Sequence, residues 1–187
     1  AAIIKAPIVR DAVMELLKGR DGLILGICNG FQALIKTGLV PFGEIRDVDA
    51  AAPTLFHNRI ARHISRYAHT RVASVKSPWL ARLEVGQVHN IPLSHGEGRF
   101  TASPAVIAEL AQNGQVAFQY CDPAGVPSNR IEFNPNGSVE AIEGITSPCG
   151  RVLGKMGHSE RVGAHVAKNL PGHKHQPLFQ GGVEYFA

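Results

Sequence analysis

A thiol set between two glycines at the end of an apolar run is the residue best placed to do covalent chemistry. Leu23-Ile24-Leu25-Gly26-Ile27-Cys28-Asn29-Gly30-Phe31-Gln32 reads as strand, tight turn and helix, with Phe31, Leu34 and Ile35 at helical spacing. This is the pattern of a nucleophile elbow, whose apex residue is lifted clear of the sheet and aimed at the start of the next helix. Gly26 and Gly30 are read as removing Cβ atoms that would collide where the chain reverses. Unpaired N–H groups at the helix start favour a thiolate at Cys28. A buried structural cysteine is the plain alternative. The two flanking glycines favour the nucleophile.

Such a nucleophile needs a base to take its proton and a group to orient that base. Of nine histidines, His158 follows an apolar strand and has Glu160 two residues on. One imidazole nitrogen can then face the thiol while the other faces the carboxylate. A surface histidine beside a Glu160–Arg161 ion pair fits the same spacing equally well. A metal reading of His-x-Glu finds no further ligand at a supporting distance along the chain, and no residue is assigned to a metal.

Positioning these groups requires an α/β framework. Ile8, Ala12, Val13, Leu16 and Leu17 mark one face of a helix that Pro7 can open. Asp21 to Ile27 reads as a buried strand and Asn29 to about Lys36 as a helix closed by Gly38, which is βα organisation. Pro41–Pro53 reads as loop, and Arg62–Val75 as a strand with Ile64, Ala68 and Val72 on one face. Val85–Ser94 makes another strand and leads into a loop at His95-Gly96-Glu97-Gly98-Arg99. A helix starts at Pro104 and stops at Asn113-Gly114, and Gln115–Cys121 is the next strand. A turn-rich stretch covers 122–137. Ser138–Ile145 and Arg151–Met156 resemble a strand pair, and the tail, with Pro171, Gly172, Pro177 and Gly181-Gly182, looks irregular.

With 187 residues, 44% of them hydrophobic and 18% charged, the chain has enough apolar material for one domain with a core. No apolar run approaches the ~20 residues that span a bilayer. Three cysteines in separate contexts argue against a disulfide framework or a zinc site and suit a reducing cytoplasm. The net charge of +4, concentrated in Arg59–Arg71, is compatible with phosphorylated substrates, nucleic acid or an acidic partner, and alone decides nothing.

Gly26-Ile-Cys-Asn-Gly-Phe-Gln32, followed by His158-x-Glu160, resembles the triad class of glutamine amidotransferases. Ser94-His-Gly-Glu-Gly-Arg99, Gln119-Tyr-Cys-Asp122, Asn134-Pro-Asn-Gly-Ser138 and Gly154-Lys-Met-Gly-His-Ser-Glu-Arg161 narrow the likeness. Together they resemble the glutaminase domain of the formylglycinamide ribonucleotide amidotransferases, also called phosphoribosylformylglycinamidine synthases. The resemblance implies a flavodoxin-like class I amidotransferase fold, with a mainly parallel sheet flanked by helices. Residues 1–187 would form a single glutaminase domain from the C-terminal part of a longer chain, lacking the domain's N-terminal strands. It also implies hydrolysis of L-glutamine at Cys28 through a γ-glutamyl thioester. The released ammonia would pass to a synthetase domain of the same polypeptide or complex, which converts formylglycinamide ribonucleotide to the amidine with ATP and Mg²⁺. The glutaminase domain itself would need no cofactor, and neither nucleic acid nor membrane would be a partner. By motif, Cys28 is the nucleophile, His158 the acid/base and Glu160 its orienter. Asn29 supplies an oxyanion N–H, and Gln32, His95 and Gly96 match segments that line the glutamine pocket. His95 as a structural loop histidine remains an open alternative.

Two departures accompany the resemblance. Many relatives read His-Pro-Glu where this chain has His158-Ser159-Glu160, and the middle residue is read as variable. The Pro-Gly-Gly-like turn that supplies the second oxyanion donor has no counterpart upstream of Cys28, and one such donor is typically worth about 10²–10³ in turnover. Three rivals stand beside this reading. An α/β-hydrolase would place its acid between nucleophile and histidine, whereas Glu160 follows His158. An RNA-binding module using Arg59–Arg71 lacks a stacking motif and has only 6% aromatics. A degenerate, non-catalytic scaffold would not need to keep Cys28, His158 and Glu160.

Overall fold

The computed structural model describes residues 2–187. A short helix α1 (Ala2–Lys5) leads into α2 (Pro7–Lys18), where Pro7 occupies a first-turn position that needs no N–H donor. Strand β1 (Ile24–Ile27) then runs directly into α3 (Asn29–Thr37), followed by the short turn α4 (Leu39–Phe42). Gly38 ends α3 with φ 85°, and its N–H bonds to the Ile35 carbonyl, a left-handed cap that a Cβ would strain.

Beyond a loop come β2 (Thr54–His57), β3 (Ile64–Val72), β4 (Val88–His95) and β5 (Glu97–Thr101). Helix α5 (Pro104–Gln112), strands β6 (Val116–Tyr120), β7 (Ile142–Thr146) and β8 (Val152–Lys155), and helix α6 (Leu178–Glu184) complete the chain. Six strands form one sheet in the order β1-β8-β7-β6-β3-β4, and β2 and β5 make a separate two-stranded ribbon.

The α/β class holds, but the sheet is not mainly parallel. Among the described residues only β1 and β8 run parallel in this sheet, and its other four pairings are antiparallel. Parallel neighbours require a crossover connection, usually a helix. Here β3–β4, β6–β7 and β7–β8 are successive strands joined without one, so they pair head to tail.

The core lies on both faces of this sheet. Val152 and Leu153 are consecutive on β8 and therefore point to opposite faces. Val152 joins a cluster with Phe31, Leu34 and Ile35 of α3, whereas Leu153 joins Val72, Leu80, Phe118 and Leu178 on the other side. β7 and β8 are buried along their whole length, so the βα unit rests on the most enclosed part of the sheet.

The segment read as a loop at His95–Arg99 is two strands meeting at Gly96, because β5 pairs with β2 in register from Thr54↔Thr101. The tail read as irregular carries α6. Its glycines disfavour an isolated helix, yet a Cβ on Gly181 would lie 2.8 Å from the Trp79 carbonyl, and one on Gly182 would strike the Trp79 ring. The glycines let α6 lie flat on the Pro78–Leu80 turn. Among the described residues no helix is long and apolar enough to cross a membrane.

Candidate active site

β1 delivers Cys28 to the sheet edge of the turn, and α3 begins at the next residue. Cys28 has φ 52° and ψ −105°, a backbone conformation that non-glycine residues adopt only when surrounding structure forces it. Two hydrogen bonds do the forcing: the Cys28 N–H donates to the Lys155 carbonyl at 2.8 Å, and the Gln32 N–H donates to the Cys28 carbonyl at 3.1 Å. A Cβ on Gly26 would lie 2.7 Å from the Gly30 carbonyl carbon, so close contact of strand and helix requires a glycine there. Gly30 itself faces open space, which corrects the expectation that both glycines avoid a collision.

Cys28, Asn29, Gln32, His95, Gly96 and His158 share one cleft of about 410 Å³. Glu160 stands behind His158, its Oε1 2.6 Å from Nδ1. All seven residues singled out in the sequence are thus brought to one place. With Nδ1 committed to the carboxylate, His158 Nε2 is buried with no hydrogen-bond partner among the described residues. The His158 N–H is itself pinned to the Pro92 carbonyl of β4 at 2.9 Å.

The thiol is less acidic than its place at a helix start suggests. Burial is the largest influence and pushes the Cys28 thiol up, while the Asn29 N–H and the Arg161 charge pull it down and Glu160 adds to the rise. The expected preference for thiolate is therefore overturned by desolvation. In this resting state Sγ lies 3.7 Å from the Ser94 carbonyl, which can accept the S–H proton. A nucleophile here requires a base that removes the proton as reaction begins, and the bare Nε2 of His158 can accept one.

His95 is held in a single tautomer. The Asn58 Nδ2 donates to the His95 carbonyl at 2.7 Å and to the Arg62 carbonyl at 3.0 Å. Its Oδ1 can then only accept, so His95 Nδ1–H donates to it at 3.1 Å and Nε2 keeps its lone pair. Burial first, then His63 and His158, lowers its pKa to about 4, so the ring is neutral near pH 7. Gln32 Nε2 donates to the Glu97 carbonyl at 2.6 Å, which fixes that side chain at the cleft wall. Sequence reasoning missed Asn58, Ser94 and Arg161. Arg161 stood in one of the motifs, whereas Asn58 gave no sequence signal because it acts from just beyond β2, 37 residues before His95.

His89 is also lowered to about 4, chiefly by burial and then by Lys155, His173 and His175. Both rings bind a proton in the unfolded chain below about 6.5 but resist it when folded. Between about pH 4 and 6.5 the unfolded state binds more protons, so stability rises with pH. The contribution is present above 6.5 and lost as pH falls toward 4, on the order of 3 kcal/mol for each ring at most. The urea midpoint is expected to drop as pH is lowered through this window, with a shallower slope in His89→Phe. A midpoint independent of pH there would contradict it.

The three cysteines are unpaired. No group of three or more His, Cys, Asp or Glu among the described residues could hold a metal ion.

Comparison with known proteins adds an independent line. The family model for the CobB/CobQ-like glutamine amidotransferase domain matches residues 1–186. The phosphoribosylformylglycinamidine synthase subunit PurQ of Synechococcus elongatus is 41% identical over 87% of this chain and 62% of that protein. The subunit of the same name from Symbiobacterium thermophilum is 39% identical over 90% of the chain and 65% of its own length. That from Rhodospirillum rubrum is 38% identical over 96% and 70%. The solved structure of PurLQS from Thermotoga maritima superimposes with a TM-score of 0.69 and 25% identity, covering 100% of this chain and 71% of that one. The chain thus spans somewhat less than two thirds of the first of these curated relatives.

Proposed function

Because the chain belongs to the CobB/CobQ-like glutamine amidotransferase family, with that model matching residues 1–186, we propose that it hydrolyses L-glutamine and delivers the ammonia to a phosphoribosylformylglycinamidine synthase. The observation that carries this reading is Cys28 at φ 52° on a strand–helix elbow, sharing its cleft with a carboxylate-held His158.

In this mechanism His158 Nε2 takes the Cys28 proton as Sγ attacks the side-chain amide carbon of glutamine. Glu160 holds the ring and stabilises the imidazolium that forms. The carbonyl oxygen, now an oxyanion, accepts the Asn29 N–H. Imidazolium then returns the proton to the amide nitrogen, the C–N bond breaks, and ammonia leaves a γ-glutamyl thioester. Water, deprotonated by His158, attacks the thioester carbon, releasing glutamate and the Cys28 thiol. Gln32, His95 and Gly96 line the walls against which glutamine is placed.

The relatives are subunits of a phosphoribosylformylglycinamidine synthase, which supports a synthetase as partner; ATP and Mg²⁺ would act there, and the glutaminase itself would need no cofactor. We place the protein in the cytoplasm, where unpaired thiols persist. The family match does not favour the RNA-binding or scaffold alternatives.

The test is labelling of the full-length protein with 6-diazo-5-oxo-norleucine and peptide mass spectrometry. A single adduct on Cys28, suppressed by glutamine, is the expected result. An adduct elsewhere, or none in a preparation that turns over no glutamine, would remove the reading.

A further inference from the structure

Beneath the loop that carries His158 lies a buried ion pair that the mechanism above does not use. Lys155 and Glu143 are each at most 1% exposed, with Nζ 3.3 Å from Oε1. Desolvation makes such a pair costly, and replacing it by apolar residues is often neutral or stabilising. Its other contacts therefore matter. Lys155 Nζ also donates to the Gly157 carbonyl and to Ser159 Oγ, both at 2.8 Å. The ammonium group is thus engaged by two hydrogen bonds and one ion pair. Both hydrogen-bond acceptors belong to the residues on either side of His158.

The ties continue outward. The Gly157 N–H donates to Glu143 Oε1 at 2.5 Å, and the Ser159 hydroxyl donates to Gln176 Oε1 at 2.5 Å. A Cβ on Gly157 would come within 2.8 Å of Glu143 Oε1 and of Ile91, so the loop backbone rests directly on the pair. On the opposite side, the Lys155 carbonyl receives the Cys28 N–H. Lys155 thus touches Cys28 through its main chain and, through its side chain, the two residues that flank His158.

We propose that Lys155, with Glu143, Ser159 and Gln176, is a positioning platform that sets His158 against Cys28. The inference rests on the glutaminase reading and adds residues to it. It also gives Ser159 a role in this chain: the residue is 2% exposed, accepts from Lys155 and donates to Gln176. A seating error of about 1 Å in a catalytic group can cost on the order of 10²-fold, which is the scale such a platform protects.

Lys155→Met would strand the Glu143 carboxylate and endanger folding, so the test uses smaller cuts. Ser159→Ala and Gln176→Ala are introduced singly and together into the full-length protein, assayed with its synthetase. Each single variant is expected to lower kcat for glutamine about tenfold with KM within about twofold. The double variant is expected to lose little more than either, because both cuts break one chain of contacts. Ser159→Thr, which keeps the hydroxyl, is expected to recover most of the Ser159→Ala loss. If the wild type turns over glutamine while both alanine variants keep their kcat, or lose only KM, the platform is overturned alone. A wild type that turns over no glutamine overturns the glutaminase reading and the platform with it.

Discussion

Replacing Cys28 with alanine is expected to lower glutamine turnover by on the order of 10⁴-fold or more, since members of such a triad act as a unit. Replacing it with glycine is expected to abolish turnover equally but to give the more stable protein. The reason is the backbone, which holds φ 52° and ψ −105° at this residue. Strain of this kind costs about 1–3 kcal/mol in a residue with a Cβ, and glycine relieves it. Cys28→Gly should therefore unfold at higher urea than Cys28→Ala, the reverse of what glycine does inside a helix. Equal midpoints would show that the elbow stores no strain. His158→Gln belongs to the same argument. Burial raises the thiol, so without the imidazole base Cys28 should be alkylated slowly at neutral pH and faster as pH climbs. A variant alkylated as fast as wild type at pH 7 would show that His158 does not take the proton.

Much of this site was legible in the sequence because its signals are local. The elbow needs only a strand, a turn and a helix in immediate succession, and the His158–Glu160 contact needs only two residues of spacing. What the sequence concealed is set by distant partners. The acidity of Cys28 is decided by how deeply the sheet and the β4–β5 corner enclose it, so a rule about helix starts gave the wrong direction. Asn58 fixes the His95 tautomer from 37 residues away. The α/β class followed from one βα unit, but extending that unit to the whole sheet was an error. Among the described residues only β1 and β8 pair parallel, and the later strands return on themselves. Helix α6 was hidden by Gly181 and Gly182, whose reason for being small is the Trp79 turn, a hundred residues earlier.

The largest structural effect is expected at Gly26. A Cβ there would sit 2.5 Å from Leu34 Cδ1 and 2.7 and 2.9 Å from the carbonyl carbon and oxygen of Gly30. Leu34 could rotate aside, but the Gly30 backbone can move only if α3 shifts away from β1. Both elements are tied to the buried centre of the sheet: β1 pairs with β8 from Ile24 to Ile27, and Phe31 of α3 is fully buried. Overpacking of this type costs about 1–3 kcal/mol, and a backbone obstacle belongs at the upper end. The same shift would pull Cys28 from the Lys155 carbonyl and from His158, so Gly26→Ala should lose about 10²-fold in turnover as well. Gly30→Ala is the discriminating companion. Its Cβ meets nothing within 4 Å, and alanine in a helix is worth about 0.5–1 kcal/mol over glycine. Urea unfolding should therefore move in opposite directions for two glycines only four residues apart. If both variants are destabilised alike, the elbow is limited by the flexibility of its turn and not by the approach of the strand to the helix.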